Sequence, residues 1–261
     1  MAVTDANGRS HTPEWDASWR CPTWRELFHK RLNDLGLIDR TIVRSVGALA
    51  LPGLVAVRGL EHVRPEADPF VLALNHATRF EAVALPVLLV YHRSGRRVHF
   101  LADWNFQMIP GIGLLYRRSG AIVVTRKSAR PRFLNVLKPL YAHKQSSHAR
   151  ALAHLGAGRS VGIFPEGTVN RDPARLLRGR IGAARLSLEA GVPVVPGGIR
   201  DVSGDALRPR LELAFGPPLH PPQRTAGADV RAWHGTIMTE IARLSGKSWE
   251  PLRQEPRHGT A

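Results

Sequence analysis

The chain has 261 residues, enough for one sizeable domain with its own apolar core. Hydrophobic residues make up 43% of it and charged residues 22%, a composition that excludes a fibrous or largely disordered protein. Lysine and arginine outnumber aspartate and glutamate by 37 to 21, and the net charge of +16 predicts an acidic partner: nucleic acid, an anionic membrane or a phosphorylated substrate. Cys21 is the single cysteine, so no intrachain disulfide can form and a reducing compartment is expected.

Residues 1–50 are predicted to form a basic amphipathic helical segment, because apolar side chains recur there at helical spacing among arginines and lysines. Two interpretations are open. The segment either packs on the core as a helical hairpin or anchors the protein to a membrane surface, with Trp15, Trp19 and Trp24 at headgroup depth. The longest apolar stretch, residues 46–57, is too short to span a bilayer. We therefore expect a peripheral or monotopic protein on the cytoplasmic face of a membrane.

Residues 51–225 alternate short β-rich runs with helical patterns and are expected to form the main domain. The predicted strands are Leu54–Val57, Phe70–Leu74, Val98–Leu101, Ala121–Val124, Val161–Phe164, Val192–Ile199 and Leu211–Phe215. The predicted helices between them are Glu81–His92, Phe133–Tyr141, Ala149–Leu155 and Ile181–Ala190. This alternation is typical of an α/β fold with a mostly parallel central sheet flanked by helices. Residues 226–261 are predicted to add a helix over Asp229–Leu244 and a flexible tail after Trp249.

A polar turn with a histidine follows the predicted strand Phe70–Leu74. Asn75 and His76 occupy the turn, and Glu81 opens the next predicted helix. Within one regular helix, His76 and Glu81 would point about 140° apart, so they can meet only if His76 lies on the turn and Glu81 just inside the helix. The carboxylate would then hold one imidazole nitrogen and leave the other free to take a proton from a hydroxyl. We predict His76 as a general base and Glu81 as the residue that orients it.

A second predicted strand ends in the turn Pro165-Glu166-Gly167-Thr168. Glu166 could accept hydrogen bonds from a substrate hydroxyl or hold an arginine, because a carboxylate at a buried strand end needs partners. Gly167 lets a ligand come close to the backbone, and Thr168 offers a hydroxyl. The alternative is a tight turn with a solvated glutamate.

Four blocks of the sequence, taken together, resemble the 1-acylglycerol-3-phosphate acyltransferases and their relatives. The blocks are Asn75-His76 with Glu81, the strand and arginine of Gly120–Arg126, Phe164–Thr168, and the apolar run Val192–Pro196. They occur in the family's order and cover about residues 54–216. The resemblance implies a fatty acyl transfer from acyl-CoA or acyl carrier protein to the hydroxyl of lysophosphatidic acid or a related lysolipid. It makes residues 51–225 the catalytic domain.

The resemblance also implies roles for individual residues. His76 and Glu81 would be catalytic, and the substrate-binding residues would be Asn75, Arg126, Glu166, Gly167, Thr168 and Arg171. Arg171 is included only for its charge and its proximity in sequence, and Arg180 is a further candidate on the same grounds. The expected partners are the lysolipid, the acyl donor and an anionic membrane surface; nucleic acid, a metal and a cofactor are not expected. Arginine suits a phosphate because its planar fork of donors matches phosphate oxygens.

Three positions depart from the pattern of that family. Glu81 stands where aspartate is usual, Val169 where many members have arginine, and Thr125 where many have aspartate. The last two changes affect recognition of the acceptor. Two alternatives stay open: a non-catalytic lipid-binding relative, and an acyltransferase for a non-glycerolipid hydroxyl or amine.

Overall fold

A computed structural model of the chain describes residues 3–4, 10–11, 19–108, 112–125, 132–141, 145–203, 209–222 and 229–251. Its centre is a seven-stranded sheet. The strands are β1 (Leu54–Arg58), β2 (Val71–Leu74), β3 (His99–Asp103), β4 (Ile122–Val124), β5 (Val161–Ile163), β6 (Val194–Asp201) and β7 (Leu211–Phe215). Their order is β1-β7-β6-β2-β5-β3-β4, and all neighbours are parallel except the antiparallel β6 and β7. The predicted fold class is confirmed.

Eight α-helices accompany the sheet in the described part of the chain. They are α1 (Trp24–His29), α2 (Leu37–Ala50), α3 (Glu81–His92), α4 (Ile112–Arg118), α5 (Lys138–Tyr141), α6 (Ser147–Gly156), α7 (Gly182–Ala190) and α8 (Val230–Ser245). Helix α4 was not predicted. The helix predicted over Phe133–Tyr141 is a 3-10 helix, Arg132–Leu137, followed by the short α5. Most of the predicted tail, residues 252–261, lies outside the described residues.

Both faces of the sheet are covered. Strand β2 has four buried residues in succession, as expected for a strand packed on both sides. Its even-numbered side chains, such as Leu72, join a core that contains α2 and α3 residues. Its odd-numbered side chains, such as Val71, join a second core built on α6, α7 and α8. The polar turn that follows β2 is therefore carried on rigidly packed backbone.

The N-terminal segment has features of both interpretations. Helix α2 is in contact with α3 and buries Val43, which supports packing on the core. Trp19 is half-buried and donates its indole N–H to the Leu54 carbonyl at 3.0 Å, so it does not lie free at the surface. Trp24 and Leu37 are 66% and 80% exposed. No helix in the described ranges is long and apolar enough to cross a bilayer.

Candidate active site

The structure brings His76 and Glu81 together at the carboxyl end of β2. Glu81 is the first residue of α3, is fully buried, and has its Oε1 2.8 Å from His76 Nδ1. Thr78 between them donates its backbone N–H to both carboxylate oxygens, at 2.8 and 2.9 Å, and its hydroxyl to Oε2. The carboxylate is further stabilised by the positive end of the α3 dipole. Because carboxylate oxygens only accept, His76 Nδ1 carries the proton that is donated to Glu81.

The other nitrogen of His76 is available to a substrate. The His76 side chain is 16% exposed and lines a cavity, and its ring stacks on Phe164 with the ring centres 4.5 Å apart. No described residue forms a hydrogen bond with His76 Nε2. With Nδ1–H held by Glu81, Nε2 is the basic nitrogen of the neutral ring. The pair therefore presents a fixed proton acceptor to the cavity.

The backbone of His76 is held by the loop after β5. The His76 N–H donates to Glu166 Oε1 at 3.0 Å, and the His76 carbonyl accepts from the Asn170 N–H at 2.7 Å. Glu166 is 6% exposed, and its Oε2 accepts from Asn170 Nδ2 at 2.7 Å and from the Leu177 N–H at 2.8 Å. Both Glu166 oxygens are thus occupied by donors of the protein itself. Glu166 thus contacts the backbone of His76, and the contact with substrate that the sequence favoured stays a prediction.

Asn75 also faces the protein rather than the cavity. It is buried, and its side-chain amide donates to the Ile199 carbonyl at 2.9 Å while its Oδ1 accepts from the Ile199 N–H at 2.7 Å. These two bonds continue the pairing of β2 with β6 past the last residue of β2. Asn75 is not among the residues that line the cavity. Its geometry fixes the point at which the turn leaves the sheet.

The cavity beside His76 has a volume of about 500 Å³ and a mostly apolar lining. One wall is a face of α3, formed by Ala82, Val83, Pro86, Val87 and Val90. The spacing of these residues places them on one side of the helix. Helix α2, strand β3 and the N-terminal part of α7 complete much of the remaining wall. Such a shape suits a long apolar ligand whose polar end lies at His76.

Among the arginines that line the cavity are Arg79, Arg180 and Arg185. No acidic residue in the described part of the chain forms an ion pair with them. Arg180 lies beside the turn at Gly167, where φ is +68°. A Cβ atom added to Gly167 would lie 3.4 Å from Arg180 Nε. Glycine accepts this left-handed conformation without strain. The arginines leave positive charge available to an anionic substrate.

The remaining predicted site residues differ in their placement. Gly167 and Thr168 line the cavity. Arg171 is exposed and is not part of the lining, whereas Arg180, nine residues further along, is. Arg126 lies outside the described residues. Asn170 was missed by the sequence analysis, although an amide so close to the turn at Glu166 is a signal that could have been noticed.

Comparison with known proteins identifies the family. Residues 54–200, which include His76, Glu81 and Glu166, match the family model described as Acyltransferase. The chain belongs to this acyltransferase family. The predicted resemblance is confirmed.

Individual acyltransferases are similar over large parts of the chain. The 1-acyl-sn-glycerol-3-phosphate acyltransferase of Bacillus subtilis is 27% identical over 66% of this chain and 77% of its own length. The protein of the same name from Borreliella burgdorferi is 26% identical over 57% of this chain, and the match spans about half of that relative, 52%. The crystal structure of the 1-acyl-sn-glycerophosphate acyltransferase PlsC from Thermotoga maritima shares the fold, with a TM-score of 0.54 and 17% sequence identity. The match covers 81% of this chain and 83% of the PlsC chain.

Proposed function

We propose that this chain is an acyltransferase that moves a fatty acyl chain from acyl-CoA or acyl carrier protein to the hydroxyl of lysophosphatidic acid or a related lysolipid. The observation that carries the proposal is the pair formed by His76 and Glu81 at a large, mostly apolar cavity. Membership of the acyltransferase family supports the reaction type. Relatives named for 1-acyl-sn-glycerol-3-phosphate support the class of acceptor.

The proposed reaction is a direct transfer. His76 Nε2 takes the proton of the acceptor hydroxyl as its oxygen attacks the thioester carbonyl carbon. A C–O bond forms and the carbonyl becomes a tetrahedral oxyanion. When this intermediate collapses, the C–S bond breaks and the departing thiolate receives the proton from Nε2. The chemistry needs no covalent enzyme intermediate, metal or cofactor.

Glu81 supports the base in two ways. Its contact with Nδ1–H fixes the ring orientation and tautomer, and its negative charge stabilises the imidazolium that forms during the transfer. Glu81 Oε1 lies 2.8 Å from His76 Nδ1. The longer glutamate side chain therefore makes the contact that an aspartate would make from a tighter turn. The extra methylene therefore gives no support to the alternative of a non-catalytic relative.

We propose that arginines at the cavity recognise the phosphate of the acceptor. Arg79 and Arg180 line the cavity along with His76, and a guanidinium can donate two parallel hydrogen bonds to phosphate oxygens. Arg79 and Arg180 supply positive charge to the cavity that Val169 also lines. Val169 stands where an arginine is common in the family. The roles of Arg126 and Arg171 in acceptor binding remain proposals from the sequence.

We also propose that residues 1–50 seat the protein peripherally on the cytoplasmic face of an anionic membrane. Exposed Trp24, Leu37 and Leu49 lie on the same basic segment, and such apolar side chains partition into the headgroup region. Changing all three to serine should weaken binding to vesicles that contain anionic lipid. The control is Leu177→Ser, an exposed leucine elsewhere. Equal vesicle binding by the triple variant and the wild type would contradict the proposal.

The decisive experiment incubates the purified full chain with labelled acyl-CoA or acyl carrier protein and a panel of lysolipids, with mass spectrometry of the products. The wild type should acylate lysophosphatidic acid or a close relative. His76→Ala should lower kcat by about 10²–10⁴-fold and keep the fold. His220→Ala, an exposed histidine outside the cavity, is the matched control.

Three outcomes would contradict the proposal. A folded His76→Ala variant with the wild-type rate would remove the assignment of the base. Acylation of a non-glycerolipid hydroxyl or amine in preference to every lysolipid would replace the proposed acceptor. A wild type that binds lysolipid but turns over no donor would favour the lipid-binding alternative.

A further inference from the structure

The segment that follows α8 is hydrogen-bonded to the loop between β5 and α7. Gly246, with φ of +68°, ends the helix and directs the chain into residues 247–249, which we call the α8 extension. The Ser248 N–H donates to the Ala174 carbonyl at 2.8 Å, and the Ser248 carbonyl accepts from the Leu176 N–H at 2.9 Å. These two bonds make one rung of parallel β-pairing between the extension and the loop.

Two side chains of the α8 extension bind the same loop on either side of this rung. Lys247 Nζ donates to the Asp172 carbonyl at 2.6 Å, and the Trp249 indole N–H donates to the Arg178 carbonyl at 3.2 Å. His234 of α8 donates through Nε2 to the same Arg178 carbonyl at 3.1 Å. The loop is therefore attached to α8 and its extension along most of its length.

Helix α8 fixes the α8 extension relative to the sheet. Its residues Ile237 and Ile241 are fully buried in the core that also contains Val71 of β2. The helix backbone at Leu244 lies so close to β6 that a Cβ atom at Gly198 would have no room. Because β6 pairs with β2, the extension and the turn that follows β2 are carried on the same packed part of the molecule.

The attached loop contacts the backbone of His76 through Asn170. The Asn170 N–H donates to the His76 carbonyl, and Asn170 Nδ2 donates to the Arg175 carbonyl at 2.7 Å. Arg175 is the loop residue that stands opposite Ser248 in the rung. A short path of backbone and amide contacts therefore leads from the α8 extension to His76.

The same loop also leads to Glu166 and to Arg180. The Leu177 N–H, next to the loop residue that bonds Ser248, donates to Glu166 Oε2 at 2.8 Å. Two residues after the Arg178 carbonyl, the Arg180 N–H donates to the Pro165 carbonyl at 2.8 Å. The direction in which Arg180 leaves the loop thus depends on a backbone that the extension holds.

Lys247 also acts on the loop through its charge. Burial lowers the pKa of Lys247, whereas the carboxylates of Glu166, Asp172 and Glu81 act to raise it. These carboxylates are therefore near enough to attract the ammonium group. The attraction favours the same arrangement as the hydrogen bonds of the extension.

We propose that the α8 extension is a positioning element of the active site, which holds the loop so that Asn170 and Glu166 keep the backbone of His76 in place. Through the same loop it keeps Arg180 at the cavity. The inference rests on the proposed function, since it takes His76 as the base of the transfer. The extension lies outside residues 54–200, the part of the chain that matches the family model.

The test breaks the rung with Ser248→Pro, which removes the N–H and the hydroxyl that donate to the Ala174 carbonyl. Amide hydrogen exchange is measured by NMR well below the melting temperature. The His76 N–H should exchange about tenfold faster than in the wild type, because its bond to Glu166 opens more often. The kcat of acyl transfer should fall by about tenfold to a hundredfold. The control is Glu250→Pro, at an exposed residue whose N–H has no hydrogen bond in the described part of the chain, and it should change neither quantity.

A double-mutant cycle separates positioning from a general loss of stability. If the α8 extension acts through Glu166, the kcat of Ser248→Pro combined with Glu166→Gln should exceed the value that the product of the two single effects gives. The second change then removes a contact that the first has already loosened. Effects that multiply would show that the two residues act independently and would overturn the inference.

The remaining outcomes distinguish this inference from the proposed function. A folded Ser248→Pro variant with the wild-type exchange rate at His76, or with the wild-type kcat, would overturn it. If that variant does not fold, Lys247→Met, which removes the bond to the Asp172 carbonyl, should give smaller changes in the same direction, and unchanged exchange at His76 would overturn the inference. A wild type that transfers no acyl chain would contradict the proposed function alone, because the exchange rates still test the link between the extension and His76.

Discussion

Replacing Glu166 with glutamine tests whether this residue positions His76 or contacts substrate. The Glu166 carboxylate accepts hydrogen bonds from three donors, on His76, Asn170 and Leu177. Glutamine keeps the shape but has one acceptor oxygen, so its NH₂ group must face at least one of these donors. A buried donor left unpaired costs about 1–3 kcal/mol. For a chain of this size, the melting temperature should fall by roughly 2–12 °C. A displaced His76 should lower kcat by up to about a hundredfold.

The assay combines thermal unfolding with steady-state kinetics in which the acceptor concentration is varied. We expect a lower Tm and kcat with an unchanged KM for the acceptor, because Glu166 acts through the backbone of His76. Glu61→Gln changes an exposed glutamate and should leave all three quantities unchanged. A wild-type Tm and kcat with a KM raised by tenfold or more would refute the reasoning and restore Glu166 as a substrate ligand.

Three further predictions concern Asn75, Glu81 and His154. Asn75→Ala removes both bonds to Ile199 and should lower the free energy of unfolding by about 1–3 kcal/mol in a denaturant titration; an unchanged midpoint would contradict this. Glu81→Asp shortens the reach to His76 and should lower kcat by about tenfold, whereas an equal or higher kcat would count against the orienting role. Burial and, to a smaller extent, neighbouring positive charge lower the pKa of the His154 imidazole from 6.5 to about 4. As the pH is lowered through this interval, the unfolded chain takes up a proton before the folded chain does, so the free energy of unfolding should decrease. His154→Gln should flatten the dependence of Tm on pH in that interval, and an identical pH profile would contradict the assignment.

The strands were the most predictable part of the fold. The strand Val71–Leu74 is buried on both faces and is a continuous apolar run, so its position can be predicted from the sequence alone. No direction was predicted for β7, although the short connection from β6 favours an antiparallel pair, because a parallel crossover needs about a dozen residues or more. Helix α4 is short and contains Gly113, so it offers too few turns for a helical period to stand out.

The site was predictable where its residues are neighbours in sequence. The spacing of His76 and Glu81 restricts them to a turn and a helix start, which is how the structure has them. The contact between Glu166 and the His76 N–H joins residues 90 positions apart and exists only because β2 and β5 are adjacent. Charge and sequence proximity likewise could not distinguish Arg171 from Arg180, since the chain direction after the turn decides which one reaches the cavity.

The stacked rings of His76 and Phe164 give the base a spectroscopic signature. Protons held over an aromatic face experience its ring current, so the carbon-bound imidazole protons of His76 should resonate upfield of those of a histidine with no aromatic neighbour. His99, His154 and His234 also lie beside aromatic rings, so the spectrum of His76→Ala would identify the His76 signal among the 12 histidines. The protonation of the base could then be followed directly as lipid or donor is added, independently of any rate measurement.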